Sequence, residues 1–250
     1  STEALARSSD GVGGGWLMIR GGESRSGSFL GVILAGGESR RYGRPKALAP
    51  FGGQPMGAWA RDALVDHCPR TVTISHDPAV SRTLGIPGRQ DRVQGIGPLG
   101  GLLSGLEWAR EEKMLGLFLL ACDIPLVGSG LVGRILDAWV PGAHAVVPES
   151  PGPLGFEPLC AVYASDCLPF VEERVASQDR SLAALLERIQ VTTVPQRLLG
   201  SREDVSLAFR NVNTPEDGRE LEARLAVRRG LPRAVRSGLS GMEGFGGGSR

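Results

Sequence analysis

The stretch FLGVILAGGESRRYGRPKALAP, Phe29–Pro50, decides how the chain is read. Its first seven residues are almost wholly apolar and of strand length, the composition of a strand covered on both faces. The strand breaks at Gly36 and Gly37, and Ser39, Arg40, Arg41, Gly43 and Lys46 follow. Glycines let backbone N–H groups approach an anion, and arginine and lysine add the charge a phosphate needs. In open α/β sheets ligands sit beyond the carboxyl ends of the strands, where this loop falls. It is not a Walker A loop, because Arg44 and Pro45 separate Gly43 from Lys46 and Ala47 follows. The pentapeptide GGESR also occurs at Gly21–Arg25, after a poor strand that contains Arg20 and with no lysine before Phe29. That first copy reads as chance, and the second as the site.

Outward from this stretch, apolar runs of strand length alternate with segments of helical period. MGAWARDALVDHC (56–68) reads as a helix, TVTIS (71–75) as a strand and LGGLLSGLEWAREE (99–112) as a helix. LGLFLLAC (115–122) is a fully apolar strand, followed by helix GLVGRILDAW (130–139) and strand HAVVP (144–148). LCAVYA (159–164), a helix led by Ser181, LAFRNVN (207–213) and helix PEDGRELEARL continue the pattern. Such alternation predicts an α/β fold: a Rossmann-like open, mostly parallel sheet with helices on both faces. The domain is expected over 29–226. Gly- and Ser-rich residues 1–28 and the Gly- and Arg-rich tail 227–250 carry no sustained period, and both are expected to be disordered.

Composition excludes several classes. With 28 Lys and Arg against 27 Asp and Glu, the chain has no bulk charge for nucleic acid. No apolar run approaches the ~18 residues of a membrane span, and the first residues lack a signal peptide's layout. Cys68, Cys122, Cys160 and Cys167 show no metal-ligand spacing and read as buried thiols. A cytoplasmic protein is expected.

Two further features carry chemistry. The strand LGLFLLAC ends at Asp123, followed by Ile124 and Pro125. A carboxylate there either caps a turn or binds a cation; beside a phosphate loop in the same sheet it suits Mg²⁺, which uses one or two carboxylates plus substrate phosphates. GIGPLGG contains a G-x-G-x-x-G match at Gly95, Gly97 and Gly100, but the polar GRQDRVQ precedes it. A dinucleotide fingerprint requires a hydrophobic strand there, so nicotinamide binding is not expected. Arg180 and Ser181 suit either a second anion or an ordinary N-cap, and Glu157 either lines a pocket or ends a loop.

The motifs LAGGESRRYGRPKAL, GPLGGLLSGL, ACDIPLV, EPLCAVY and NVNTPED, in this order, resemble the nucleotidyltransferase superfamily, and within it the molybdenum cofactor guanylyltransferases. The resemblance covers about Gly31 to Leu225. It implies transfer of GMP from GTP to the terminal phosphate of molybdopterin with release of pyrophosphate, with Mg²⁺ as cofactor and molybdoenzyme maturation proteins as partners. Leu34, Ala35 and Gly36 would line the nucleotide, and Lys46 and Arg40 would meet its phosphates. Asp123 would bind Mg²⁺, and Asn211 and Asn213 would lie toward the pterin. Asp91 would hold the guanosine, by the base or by the ribose. His76 stands where the family often has asparagine, and its imidazole can donate to a base or a ribose. The acceptor phosphate, with a second pKa of about 6, needs no base to ionise it. Accordingly His67, His76 and His144 form no triad. Two alternatives stay open from the sequence: a nucleotidyltransferase using CTP or UTP with another phosphorylated acceptor, and a non-catalytic nucleotide-binding partner.

Overall fold

The computed structural model describes residues 3–7, 16–20, 28–36, 44–93, 95–177 and 181–228. Its strands are β1 (Glu3–Arg7), β2 (Trp16–Arg20), β3 (Phe29–Leu34), β4 (Pro50–Phe51), β5 (Gln54–Pro55), β6 (Thr71–Ile74), β7 (Gly88–Arg89), β8 (Gly116–Ala121), β9 (Ala145–Pro148), β10 (Cys160–Ala164) and β11 (Val191–Val194). Its helices are α1 (Met56–Leu64), α2 (Pro78–Leu84), α3 (Pro98–Glu111), α4 (Ser129–Asp137), α5 (Leu168–Ala176), α6 (Leu182–Leu186), α7 (Gln196–Leu199), α8 (Arg202–Ala208) and α9 (Pro215–Arg228).

Every residue of β3 and of β8 is buried, as continuous apolar strands require when both faces are covered. They pair in parallel from Phe29↔Gly116 to Leu34↔Ala121, and β6 joins β3 in parallel from Gly31↔Thr71 to Leu34↔Ile74. Side chains alternate between the two faces. Phe29, Ile33, Phe118 and Leu120 pack with α1, α2, α4, α7 and α8, whereas Leu30, Val32, Leu117 and Leu119 pack with α3, α5 and α6. The helices therefore lie on both faces, as the sequence predicts.

The full sheet runs β2-β1-β11-β9-β10-β8-β3-β6-β7. Strand β10 is antiparallel to both neighbours, β8 and β9, while β11 returns parallel to β9. The mostly parallel sheet thus carries a reversed strand, β10, near its middle and a second, β1, which is antiparallel to β11 near one edge. Within the amino-terminal segment expected to be disordered, β1 and β2 pair from Glu3↔Arg20 to Arg7↔Trp16, and β1 pairs antiparallel with β11. Backbone pairing at an exposed edge needs little composition bias, and the short island Trp16–Ile19 supplies the second strand. At the other end, α9 extends to Arg228, slightly past the boundary read from sequence; the rest of the tail lies outside the described residues.

A third apolar cluster positions the site. Ala49, Phe51 and Met56, from the segment after Lys46, pack against Val212 and against Leu221 of α9. The four cysteines are free and buried, and burial pushes the thiols of Cys68, Cys122 and Cys167 up to about 12. Such thiols are packing groups rather than nucleophiles. Among the described residues, no helix is long and apolar enough to cross a membrane.

Candidate active site

The carboxyl ends of β3, β6 and β8 open on one cleft of about 930 Å³. Leu34, Ala35, Gly36, Lys46, His76, Asp91 and Asp123 all line it. Seven positions singled out from sequence, spread over ninety residues, are thus brought together. Arg40 lies outside the described residues, as do most of the loop around it and the first GGESR copy.

Each side chain is placed by the backbone beneath it. Cys122 N–H donates to Leu34 O at 3.1 Å, which ties the end of β8 to the end of β3 and carries Asp123 into the cleft. Lys46 opens a 3₁₀ turn, Lys46–Leu48, after Pro45. Its Nζ donates to Asp123 Oδ2 at 3.1 Å, and both side chains are about four-fifths buried, at 22% and 23% exposed. Asp123 Oδ1 is buried and has no hydrogen-bond partner among the described residues. An anionic oxygen left so is costly unless a cation meets it, and Mg²⁺ fits the chemistry of this hard oxygen donor. No group of three or more His, Cys, Asp or Glu side chains among the described residues could hold a metal. The single carboxylate Asp123 would thus hold a divalent cation only together with ligands that a bound substrate brings.

Asp91 is set from two sides. Ser75 N–H donates to Arg89 O, and Arg92 N–H donates to Ser104 Oγ on α3, both at 2.9 Å, so the loop between is held at each end. The carboxylate is 12% exposed, and burial raises its pKa while His76 lowers it. His76 Nε2 lies 3.5 Å from Asp91 Oδ2, and Asp91 Oδ1 is buried without a partner among the described residues. His76 accordingly faces Asp91, an arrangement the sequence did not indicate.

One part of the site was not expected from the sequence. Gly95, Gly97, Pro98 and Gly101, from the turn set aside as a failed dinucleotide fingerprint, also line the cleft. Gly95 and Gly97 adopt φ of 76° and 64°, which glycine alone takes without strain. Gly97 is the N-cap of the 14-residue α3, and no side chain caps it. The open N–H groups and dipole of that terminus favour an anion. A Cβ on Gly101 would come 2.4 Å from Leu34 Cδ2 and 3.5 Å from Asp91 Oδ1, so glycine there lets α3 lie against both. The usable signal was the close run of glycines ahead of a strong helix, without regard to a preceding strand.

Asn211 and Asn213 differ in placement. Both are exposed, but Asn213 Oδ1 accepts from Lys46 Nζ at 2.8 Å, joining it to the Lys46–Asp123 pair. Glu157, whose Oε1 accepts from Leu159 N–H, stands beside the cleft residue Leu159. Ser181 caps α6 by accepting from Ala184 N–H, which answers the choice between anion site and N-cap with a cap; Arg180 lies outside the described residues.

Known proteins match over the same region. Residues 31–194 match the family described as MobA-like NTP transferase domain. The molybdenum cofactor guanylyltransferase of Desulfosudis oleivorans is 30% identical over 81% of this chain and 98% of its own length. That of Rhodobacter capsulatus is 33% identical over 79% of this chain and 96% of its own. The crystal structure of molybdopterin-guanine dinucleotide biosynthesis protein A from Archaeoglobus fulgidus shares the fold with a TM-score of 0.64, at 24% identity over 80% of this chain and 100% of that one. On the family match and on these relatives, the chain belongs to the molybdenum cofactor guanylyltransferases, nucleotidyltransferases built on the MobA-like domain.

Proposed function

We propose that the chain transfers GMP from GTP to the terminal phosphate of molybdopterin, metal-loaded or empty, giving the guanine dinucleotide cofactor and pyrophosphate. The observation that carries this reading is the pairing of Lys46 with Asp123 at the end of β8, with one Asp123 oxygen left for a cation. Binding without chemistry has little use for such an oxygen.

The geometry supports the following roles. Asp91 Oδ1 accepts from the N1–H or the amine of guanine while His76 stays on Oδ2. Leu34, Ala35 and Gly36 line the nucleotide along the end of β3. The uncapped terminus of α3 faces the phosphates, and Lys46 and Arg40 neutralise them. Mg²⁺ bound by Asp123 would supply charge neutralisation at the phosphates. Asn211 and Asn213 lie on the acceptor side.

No general base is needed, because the acceptor phosphate is already largely ionised at pH 7. Each histidine already has a partner: His67 Nε2 lies 2.8 Å from Ser129 O, His76 faces Asp91 in the cleft, and His144 Nδ1 accepts from Gln190 N–H. The chain's task is to hold two polyanions in line and offset their charge. The reading also places the enzyme in the cytoplasm, where it would meet molybdoenzyme maturation proteins.

Pyrophosphate release from GTP plus molybdopterin tests the reading. Asp123→Ala is expected to cut turnover at least a hundredfold while the protein stays folded, because losing one such electrostatic contact costs roughly 3–4 kcal/mol in the transition state. Near-normal turnover in the folded variant would remove Asp123 from the mechanism.

A further inference from the structure

Lys46 does not hold its position alone. Its Nζ is shared between Asp123 Oδ2 at 3.1 Å and Asn213 Oδ1 at 2.8 Å. Asn213 in turn is fixed by its own backbone. The N–H groups of Asn213 and Thr214 both donate to Asp217 Oδ2, each at 2.8 Å, and Asp217 N–H donates back to Thr214 Oγ1 at 3.1 Å. This is a reciprocal box at the start of α9, with aspartate as its carboxylate. The residue before Asn213 is clamped as well: Val212 is buried, and its N–H donates to Asp123 O at 2.8 Å.

The same helix grips the chain beyond Lys46. Gly52 N–H, in the turn between β4 and β5, donates to Glu222 Oε1 at 2.6 Å. Leu221 packs in one apolar cluster with Phe51 and Met56. One helix therefore holds the lysine's side chain through Asn213 and its following segment through Glu222 and Leu221. The Asp217 carboxyl, partly buried, is held below its usual range, first by the Asn213 N–H, so it is ionised and a strong acceptor throughout the neutral range.

We propose that Asp217 is a positioning residue for the transfer reaction: through Asn213 it fixes where Lys46 Nζ meets the phosphates. This rests on the phosphate role given to Lys46 above. A side chain with four rotatable bonds reaches a single point only when both its stem and its head are restrained. On this account Asn213 belongs to the lysine's restraint as well as to the acceptor side, and the NTPED run of the sequence is a device for aiming Lys46.

A double-mutant cycle tests it, because residues that act through one another give non-additive losses. Asp217→Ala and Asn213→Ala are each made in the wild-type and in the Lys46→Ala background, with kcat for pyrophosphate release and equilibrium binding of GTP–Mg²⁺ both measured. Asn213→Ala leaves the Asp217 box intact, so it reports even where Asp217→Ala fails to fold. Each single change is expected to lower kcat about tenfold in wild type and less than twofold where Lys46 is already alanine. Asp217→Asn, which keeps an acceptor oxygen, is expected to recover most of the loss.

Equal fold losses in both backgrounds, or no loss in either folded variant, would overturn the proposal and leave Asp217 a simple helix cap. Full activity in Lys46→Ala by itself would instead overturn the phosphate role of Lys46, and with it the relay. A loss that appears only in the molybdopterin KM, and is undiminished by Lys46→Ala, would make Asn213 an acceptor contact and also count against the relay.

Discussion

Burial drives the Glu157 carboxyl up to about 7; the Leu159 N–H it accepts pulls the other way, and the charge of Asp123 adds to the rise. Because the folded value lies above the ordinary carboxylate range, the native state binds an extra proton between about pH 4.5 and 7. Above that window the ionised carboxylate is an uncompensated cost, so stability falls as pH rises through it. Glu157→Gln removes the cost and keeps an acceptor for Leu159. At 1.36 kcal/mol per decade the gain is at most about 3 kcal/mol, less for residual exposure. Thermal melts should show the variant several degrees more stable at pH 8.5 and no different at pH 4.5. A gap independent of pH would show that the effect is packing and not ionisation. At this scale the sequence was legible where chemistry and position coincide. Asp123 at the end of an apolar strand and Lys46 past a glycine turn could be picked out by type and spacing. The facing of His76 and Asp91, and the Lys46–Asn213 bond, depend on loops meeting across 15 and 167 residues of chain, and nothing local encodes them.

Elements were legible in proportion to their length and burial. The strands β3 and β8, six residues each and wholly buried, stand out as apolar runs, as does the 14-residue α3. The four-residue β11, with alternating burial, and the short α2, α7 and α8 offer too few periods to register. The reversed direction of β10 leaves no mark in composition, since LCAVYA is as apolar as the strands β8 and β9 that flank it. Its placement does leave a steric one. Gly116 opens β8 opposite Ala164, and a Cβ on Gly116 would fall 2.2 Å from Tyr163 O and 2.7 Å from Ala164 Cα. These are backbone atoms in the middle of the sheet, which cannot rotate aside. Gly116→Ala is therefore expected to destabilise the fold by about 1–3 kcal/mol or more, read as a lower urea midpoint at unchanged slope. A midpoint within error of wild type would mean that β8 and β10 do not approach as closely as described.

At the scale of the whole molecule, the cleft and the amino-terminal hairpin lie far apart in the sheet. The cleft opens at β8, β3 and β6, while β1 and β2 extend the opposite edge beyond β11. Removing residues 1–27 should therefore leave GTP binding within about twofold of the full chain, while the newly exposed edge of β11 promotes self-association. Loss of nucleotide binding on truncation would bring the first GGESR copy back as a contributor. Base choice is a property of the assembled cleft too. Only in the folded chain does Asp91 present a buried oxygen, Oδ1, without a partner among the described residues, beside Gly101, with His76 and Gly36 on the side of Oδ2. Guanine offers N1–H and an exocyclic amine to such a carboxylate, adenine offers no such pair, and cytosine has one amine. An unmet buried carboxylate costs roughly 1–3 kcal/mol, so tenfold discrimination or more is expected.

Equilibrium titration of the full chain with GTP, CTP, UTP and ATP in the presence of Mg²⁺, repeated with Asp91→Asn, tests the guanylyl assignment most directly. The expected result is GTP bound at least tenfold more tightly than the others, with that preference narrowed by Asp91→Asn because only GTP loses affinity. Equal weakening of all four nucleotides would move Asp91 to the ribose, and tighter binding of CTP or UTP than of GTP by the unmodified chain would contradict the account.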